Sequence, residues 1–418
     1  MGRTITALAM ILVLGAILTG CNGWPGAGDA SGPAGPVSMP SQSELEDIVR
    51  PALEGKWANG LVVGIIYDGK TTVRGFGAFA NHPNPGKVVF EIGSVTKTFT
   101  GLLLADAVVR KKAKLTDPAA DYLDCDLPEH KGKPILLVHL ATHTSGLPIV
   151  PANFKITDPS NPYADYTREQ MTEFLAKYPL PRAPGARYDY SNLGMGLLAD
   201  AMAKVNGGDL EAAYVERICK PLGLTDTRIT ATISMRKRLA PGHDSRLQPA
   251  VRWTFATMAG AGALLSTTDD MLRYLDAQLK PETTPLAAAI MMSQREHFRH
   301  GDSGGNGLGW LIGRDESSVA LDHAGQTGGY SAYVAIEPAK RLGIVVLSDT
   351  ASPGAMGTGF ALLERMRTGR LGKAFLPVAV RAEPEQLEKY VGTYRFGDRA
   401  IVAVTFDGVQ LYMQATGG

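Results

Sequence analysis

Apolar positions along this chain change period several times, and each change marks an element. Residues 44–53 repeat at helical spacing and predict an amphipathic helix, whereas 61–67 and 71–76 read as strands. Asp68-Gly69 between those strands is a two-residue hairpin signal. A glycine at 93 followed by the apolar run to Ala105 predicts a buried helix over about 94–110, and Asp117-Pro118 marks a turn. From about 134 to 221 the patterns are helical. Thr167-Arg168-Glu169-Gln170 is a capping box, and a helix over 193–205 is stopped by Asn206-Gly207-Gly208. Strand signals return at 307–312, 330–336 and 342–347, with Ser266-Thr267-Thr268-Asp269 capping a helix ahead of them. The simplest assembly is α/β (α+β): early hairpin and late strands form one antiparallel sheet, helices cover both faces, and an all-helical subdomain at about 131–255 is inserted. The expected cleft lies between the two parts.

The two ends read differently. Arg3 precedes an apolar segment over 7–18, too short for a comfortable membrane span and typical of a secretory signal. It ends in Leu18-Thr19-Gly20-Cys21, so residues 1–21 predict a leader and 22–41, rich in Gly, Pro, Ala and Ser, a flexible linker. The main domain is expected over 42–372. Residues 384–418 turn strand-rich and read as the start of a small C-terminal β domain, incomplete at this length. Composition adds little: with 44% hydrophobic and 20% charged residues and a net charge of +1, nothing points to nucleic acid. Beyond Cys21, only Cys125 and Cys219 remain, and two free thiols are expected.

Candidate chemistry begins at Ser94-Val95-Thr96-Lys97. Residues i and i+3 share a helix face, so Lys97 can reach the Ser94 hydroxyl, and a lysine stripped of water can be neutral enough to take its proton. A helix N-terminus adds free N–H groups for an oxyanion. Two competing sites are set aside. Gly301-Asp302-Ser303-Gly304-Gly305 matches a G-x-S-x-G elbow, but it follows Arg299-His300 rather than a buried strand and leads into a Gly-rich turn. His139 and His143 have zinc spacing, yet no glutamate follows His139, so no metal or cofactor is expected.

Two further motifs give the first its context: Tyr190-Ser191-Asn192 ahead of a helix, and His323-Ala324-Gly325 ahead of a Gly-rich turn. In this order S-x-x-K, Y-x-N and H-x-G resemble the serine β-lactamase and penicillin-binding-protein superfamily, class C β-lactamases and DD-carboxypeptidases in particular. Phe90-Glu91-Ile92-Gly93, His143-Thr144-Ser145-Gly146-Leu147-Pro148, Gly307-Leu308-Gly309-Trp310 and Gln326-Thr327-Gly328-Gly329-Tyr330 support it, and the resemblance spans about 42–370. Leu18 to Cys21 likewise resembles the bacterial lipobox, which implies lipidation at Cys21 and a monomer tethered in the cell envelope, facing the periplasm or exterior.

The resemblance implies a β-lactamase/transpeptidase-like fold and a catalytic set of Ser94, Lys97, Tyr190 and Asn192. Ser94 would attack a carbonyl, Lys97 would assist its deprotonation, and Tyr190 would shuttle the proton to a leaving nitrogen. That role asks for a tyrosine held below its free value of about 10 by the Lys97 cation, and leaves open which of the pair is the base. Asn192 would orient Lys97 and the substrate amide. His323 and Gly325 would line an edge strand, and the N–H groups of Ser94 and Gln326 would form the oxyanion hole. The implied substrates are β-lactams or peptidoglycan stem peptides ending in D-Ala-D-Ala. His323 departs from the lysine usual in class C enzymes, predicting a partly charged, pH-sensitive group there. It leaves a carboxylesterase of the same family, or a silent peptidoglycan- or β-lactam-binding lipoprotein, as alternatives.

Overall fold

The computed structural model describes residues 38–302, 304–314, 318–372, 376, 383–396, 400–406 and 411–417. The expected leader, Cys21 and most of the linker lie outside the described residues, as does Ser303.

The centre is an antiparallel sheet of eight strands. In chain order the strands are β1 (Gly60–Tyr67), β2 (Lys70–Gly77), then, after a separate pair β3 (Val89–Glu91) and β4 (Leu265–Thr267), β5 (Phe298–Arg299), β6 (Gly304–Asn306), β7 (Leu311–Arg314), β8 (Val319–Gln326), β9 (Ser331–Glu337) and β10 (Leu342–Ser348). Spatial order is β2-β1-β10-β9-β8-β7-β6-β5, so the early hairpin joins the late strands through β1 and β10. Asp68 and Gly69 both take positive φ, 47° and 79°, which is what a two-residue hairpin turn matching the strand twist requires.

The near-continuous apolar run of β1 is explained by cover on both faces. Leu61, Val63 and Ile65 pack with Leu45, Ile48 and Val49 of helix α1 (Gln42–Glu54) and with Leu362 and Met366 of Gly354–Thr368. Val62 and Ile66 enter the larger core on the other face, with Leu272 and Leu275 of Thr268–Leu279. A strand with two buried faces has no polar alternation to show.

Helix α2 (Thr96–Val109) is buried from Thr96 through Ala107 and packs against Asn192–Val205 and Ala287–Gln294. A helix covered on every side belongs to the core, and its polar members Thr96, Lys97, Thr98, Thr100 and Asp106 are buried with the rest. The capping box forms as the sequence predicts: Thr167 Oγ1 accepts from Gln170 N–H at 3.3 Å, and Gln170 Oε1 accepts from Thr167 N–H at 2.8 Å. The cap near residue 266 is Thr267, which accepts from Asp270 N–H at 3.2 Å.

Two expectations change. Residues 307–312 are not one strand: Gly309 at φ +74° breaks the run, and the loop between β6 and β7 lies on α2, with Leu308 N–H bonded to Ser293 O at 2.8 Å. Strand β8, which carries His323, is not an edge strand but an interior one between β7 and β9. Residues Gly392–Phe396, Ala400–Phe406 and Leu411–Gly417 form a separate three-stranded antiparallel sheet. Cys125 and Cys219 are both free. Among the described residues no helix is long and apolar enough to cross a membrane.

Candidate active site

The chain reaches Ser94 through a backbone that only a small residue permits. Gly93 takes φ +50° and opens a single 3-10 turn, Gly93–Val95, so Ser94 sits just before α2 rather than in its first turn. A Cβ on Gly93 would stand 2.6 Å from Gln326 N, and one on Gly325 would stand 2.9 Å from Ser94 N. The nucleophile turn and the end of β8 therefore touch backbone to backbone.

That contact exposes two amides to one place. Strand β7 pairs with β8 only as far as Asp322, so His323 to Gln326 have no β7 partner, which restores a local edge inside an interior strand. Thr327 N–H bonds Tyr330 O at 3.0 Å, and hydrogen-bonded pairs alternate along an antiparallel ladder. The Gln326–Ser331 pair is then a non-bonded one, and Gln326 N–H faces away from β9 toward the Ser94 turn.

Around the hydroxyl, Lys97 Nζ lies 2.9 Å from Ser94 Oγ, and Tyr190 O–H donates to the same oxygen at 2.9 Å. Lys97 Nζ also donates to Ala261 O at 2.7 Å and stands 4.8 Å from the centre of the Tyr190 ring. Lys97 is wholly buried, its bonds go to a hydroxyl and a carbonyl rather than to a carboxylate, and desolvation pulls its amine well below the usual lysine range. Burial pushes the Tyr190 phenol up instead, against a smaller lowering by Ser94. The expectation of a tyrosine lowered by a lysine cation is thus overturned. Desolvation disfavours the charged form of each, so Lys97 gives up its proton more readily than a free lysine and Tyr190 holds its own more tightly than a free phenol.

His323 is corrected in the same sense. Its Nδ1–H donates to Ala324 O at 2.7 Å, leaving Nε2 bare, buried and without a partner. Burial first, and the neighbouring Lys97 second, hold its pKa down to about 3, so the ring is neutral at ordinary pH rather than partly charged. Its centroid is 6.4 Å from that of Tyr190.

Asn192 opens its helix behind Ser191, whose Oγ accepts from Gly194 N–H at 2.8 Å as the N-cap. The Asn192 amide does not bond Lys97: Nδ2 donates to Tyr163 OH at 3.1 Å, and Oδ1 is buried without a partner. His139 and His143 serve separate backbone bonds, from Leu136 N–H and Ser191 N–H, each at 3.1 Å. Of the competing elbow, Gly304 begins β6 and not a helix.

Several contributors escape sequence reading. Ala261 acts through its carbonyl, which no side chain announces. Tyr163 belongs to a cluster of aromatic rings with Phe154, Trp253 and Phe255, visible in sequence only as scattered aromatics on two loops. Glu91 lies within a motif the sequence does display, but its burial does not show: its carboxyl is pushed up to about 7 by desolvation, and Oε2 has no partner.

A family model described as Beta-lactamase matches residues 45–363, three quarters of the chain. The chain belongs to the beta-lactamase family. A protein named Beta-lactamase from Escherichia coli (strain K12) is 31% identical over 354 residues, covering 74% of this chain and 90% of its own length. One of the same name from Yersinia enterocolitica is 28% identical, covering 77% and 91%. The D-alanyl-D-alanine-carboxypeptidase/endopeptidase AmpH of Escherichia coli (strain K12) is 30% identical over 318 residues, covering 72% and 81%. Membership makes the chain a hydrolase of the beta-lactamase and DD-peptidase type, on a mixed fold with an antiparallel sheet and flanking helices.

Proposed function

We propose that Ser94 is the nucleophile of a serine hydrolase that passes through an acyl-serine intermediate on β-lactams or D-Ala-D-Ala-type peptides. The observation that carries this reading is the convergence of Lys97 Nζ and Tyr190 OH on Ser94 Oγ, each at 2.9 Å. Neutral Lys97 takes the Ser94 proton as Oγ bonds to the carbonyl carbon. The N–H groups of Ser94 and Gln326 hold the oxyanion, one such donor being worth about 3 kcal/mol. Tyr190 gives its proton to the leaving nitrogen as the C–N bond breaks, and recovers one from Lys97. Water then repeats the sequence on the acyl-enzyme. Asn192 Oδ1, a buried acceptor without a partner, would take the N–H of an amide on the acyl part. Relatives named Beta-lactamase and D-alanyl-D-alanine-carboxypeptidase support the substrate class.

A carboxylesterase of the same family remains a second reading because of one observation. The neutral, buried His323 offers no fixed positive charge to a substrate carboxylate. Incubating the purified chain with a fluorescent penicillin, a chromogenic cephalosporin, an acyl-D-Ala-D-Ala peptide and a short-chain nitrophenyl ester separates the classes. Rapid cephalosporin turnover supports a β-lactamase, and persistent penicillin labelling with peptide cleavage supports a peptidase. Ester cleavage alone moves the function to the second reading, and no reaction with any overturns both.

The lipobox-like Leu18 to Cys21 supports a further part of the proposal, an enzyme held in the bacterial envelope by lipid on Cys21, facing the periplasm or exterior. Cys21→Ser is expected to abolish metabolic labelling with a fatty acid analogue and to release the protein from membranes. Label retained in that variant would end the anchor reading.

A further inference from the structure

Directly under Tyr190 lies a buried histidine that the steps above do not use. His143 follows the short helix Leu137–Ala141 and takes φ +58°. Its ring centre is 4.5 Å from that of Tyr190, the planes inclined by 31°. Its Nδ1 accepts from Ser191 N–H at 3.1 Å, and its carbonyl accepts from Asp189 N–H at 2.7 Å. One residue thus holds three consecutive positions, 189 by its backbone, 190 by its ring face and 191 by its nitrogen.

These contacts also set the ring's state. A nitrogen that accepts an amide hydrogen carries none itself, so the imidazole bears its proton on Nε2. Burial, the largest cause, holds its pKa well below the usual imidazole range, and Tyr188 stands edge-on at 5.9 Å. A cationic ring would lose the Ser191 bond, because its Nδ1 would carry a hydrogen.

We infer that His143 is a positioning residue for Tyr190, fixing the phenol on the Ser94 oxygen at the angle from which it protonates a departing group. This rests on the role given to Tyr190 above. The bond to Ser191 is the tie nearest the Tyr190 ring: farther along, Asn192 N–H and Leu193 N–H donate to Ile149 O at 3.0 and 3.1 Å, and the Ser191 side chain is committed to Pro148 O at 2.6 Å. A hydroxyl displaced by about 1 Å costs on the order of a hundredfold in a positioned step. A histidine serving packing alone would slow all substrates alike, or only lower the melting temperature.

The test compares acyl donors that share one acyl group, a 4-nitrophenyl ester and the matching ethyl ester. Nitrophenolate leaves without a proton, whereas ethoxide needs one. His143→Phe keeps a ring but removes the acceptor, and is expected to slow the ethyl ester about tenfold to a hundredfold more than the nitrophenyl ester, in kcat rather than KM. His143→Asn puts an amide oxygen near the Nδ1 position, suits the left-handed backbone, and is expected to recover most of that selectivity. If the phenylalanine variant fails to fold, His143→Gln, whose amide reaches the Nε2 position instead, gives the same comparison against His143→Asn. Tyr190→Phe is the reference. Equal slowing of both esters by the His143 variants while Tyr190→Phe stays selective overturns the positioning role alone. Loss of selectivity in Tyr190→Phe overturns the reading of Tyr190 and the inference with it.

Discussion

Replacing Ser94 with alanine is expected to lower turnover of every substrate the chain accepts by at least about 10⁴-fold and to abolish covalent labelling by penicillin. The loss follows from geometry: Ser94 Oγ is the atom on which both Lys97 and Tyr190 converge, and the other bond of Lys97 Nζ goes to the Ala261 carbonyl. The fold should be untouched. Ser94 is only half-buried, at a turn whose backbone is set by Gly93, so deleting one oxygen opens no cavity of consequence. The melting temperature of Ser94→Ala is therefore expected to stay close to that of the parent, measured beside the labelling assay. Ser303→Ala is the matched control and should retain full activity. Turnover that survives in Ser94→Ala but disappears in Ser303→Ala would move the nucleophile to the other loop and end the present reading.

How much of this site could be read from sequence depends on how local each part is. The Asp68-Gly69 hairpin and the Thr167 to Gln170 capping box are closed by neighbours within three residues, and both form. Ser94 and Lys97 are equally local, which is why their approach could be expected from spacing alone. Strand β8 is not legible from periodicity, and only the family resemblance puts His323 and Gly325 on a strand. Its run Val-Ala-Leu-Asp-His-Ala-Gly-Gln lacks alternation, because Asp322 and His323 are both buried in a sheet whose two faces are covered. The pairing of β3 with β4 joins residues far apart in the chain through three positions each, too short for a periodic signal. Least legible are the protonation states. The positive partner expected for Tyr190 and the charge expected on His323 both follow from residue type, and both are reversed by burial, a property of the assembled fold. Asn192 makes the same point with a bond. Its residue type fits a lysine partner, but the loop carrying Tyr163 arrives first.

Lys97→Met carries the second large effect, and it separates the chemical role of the amine from its cost to the fold. Removal of the base is expected to lower the acylation rate by about 10²–10⁴-fold, with the serine still in place. In the parent, acylation should rise with pH through the depressed pKa of Lys97 and level off well short of the usual lysine range, since only the neutral amine can take the Ser94 proton. Stability should change in the opposite direction to a salt-bridged group. Lys97 is held below its unfolded value of about 10.4, so between the folded and unfolded pKa values the unfolded chain binds the extra proton. Raising pH across that window then stabilises the folded parent, and Lys97→Met, having no proton to bind there, lacks the gain. The melting temperature of Lys97→Met relative to the parent is therefore expected to fall steadily as pH increases from 7 toward 10. The absolute offset is set by two opposed terms, relief of a desolvated amine against an unpaired Ala261 carbonyl, whereas the slope reports the amine alone. A pH-independent difference, or an acylation rate still climbing in the ordinary lysine range, would mean that Lys97 is charged in the resting enzyme. The proton of Ser94 would then need Tyr190 as its acceptor, and the phenol would have to be ionised in spite of its burial.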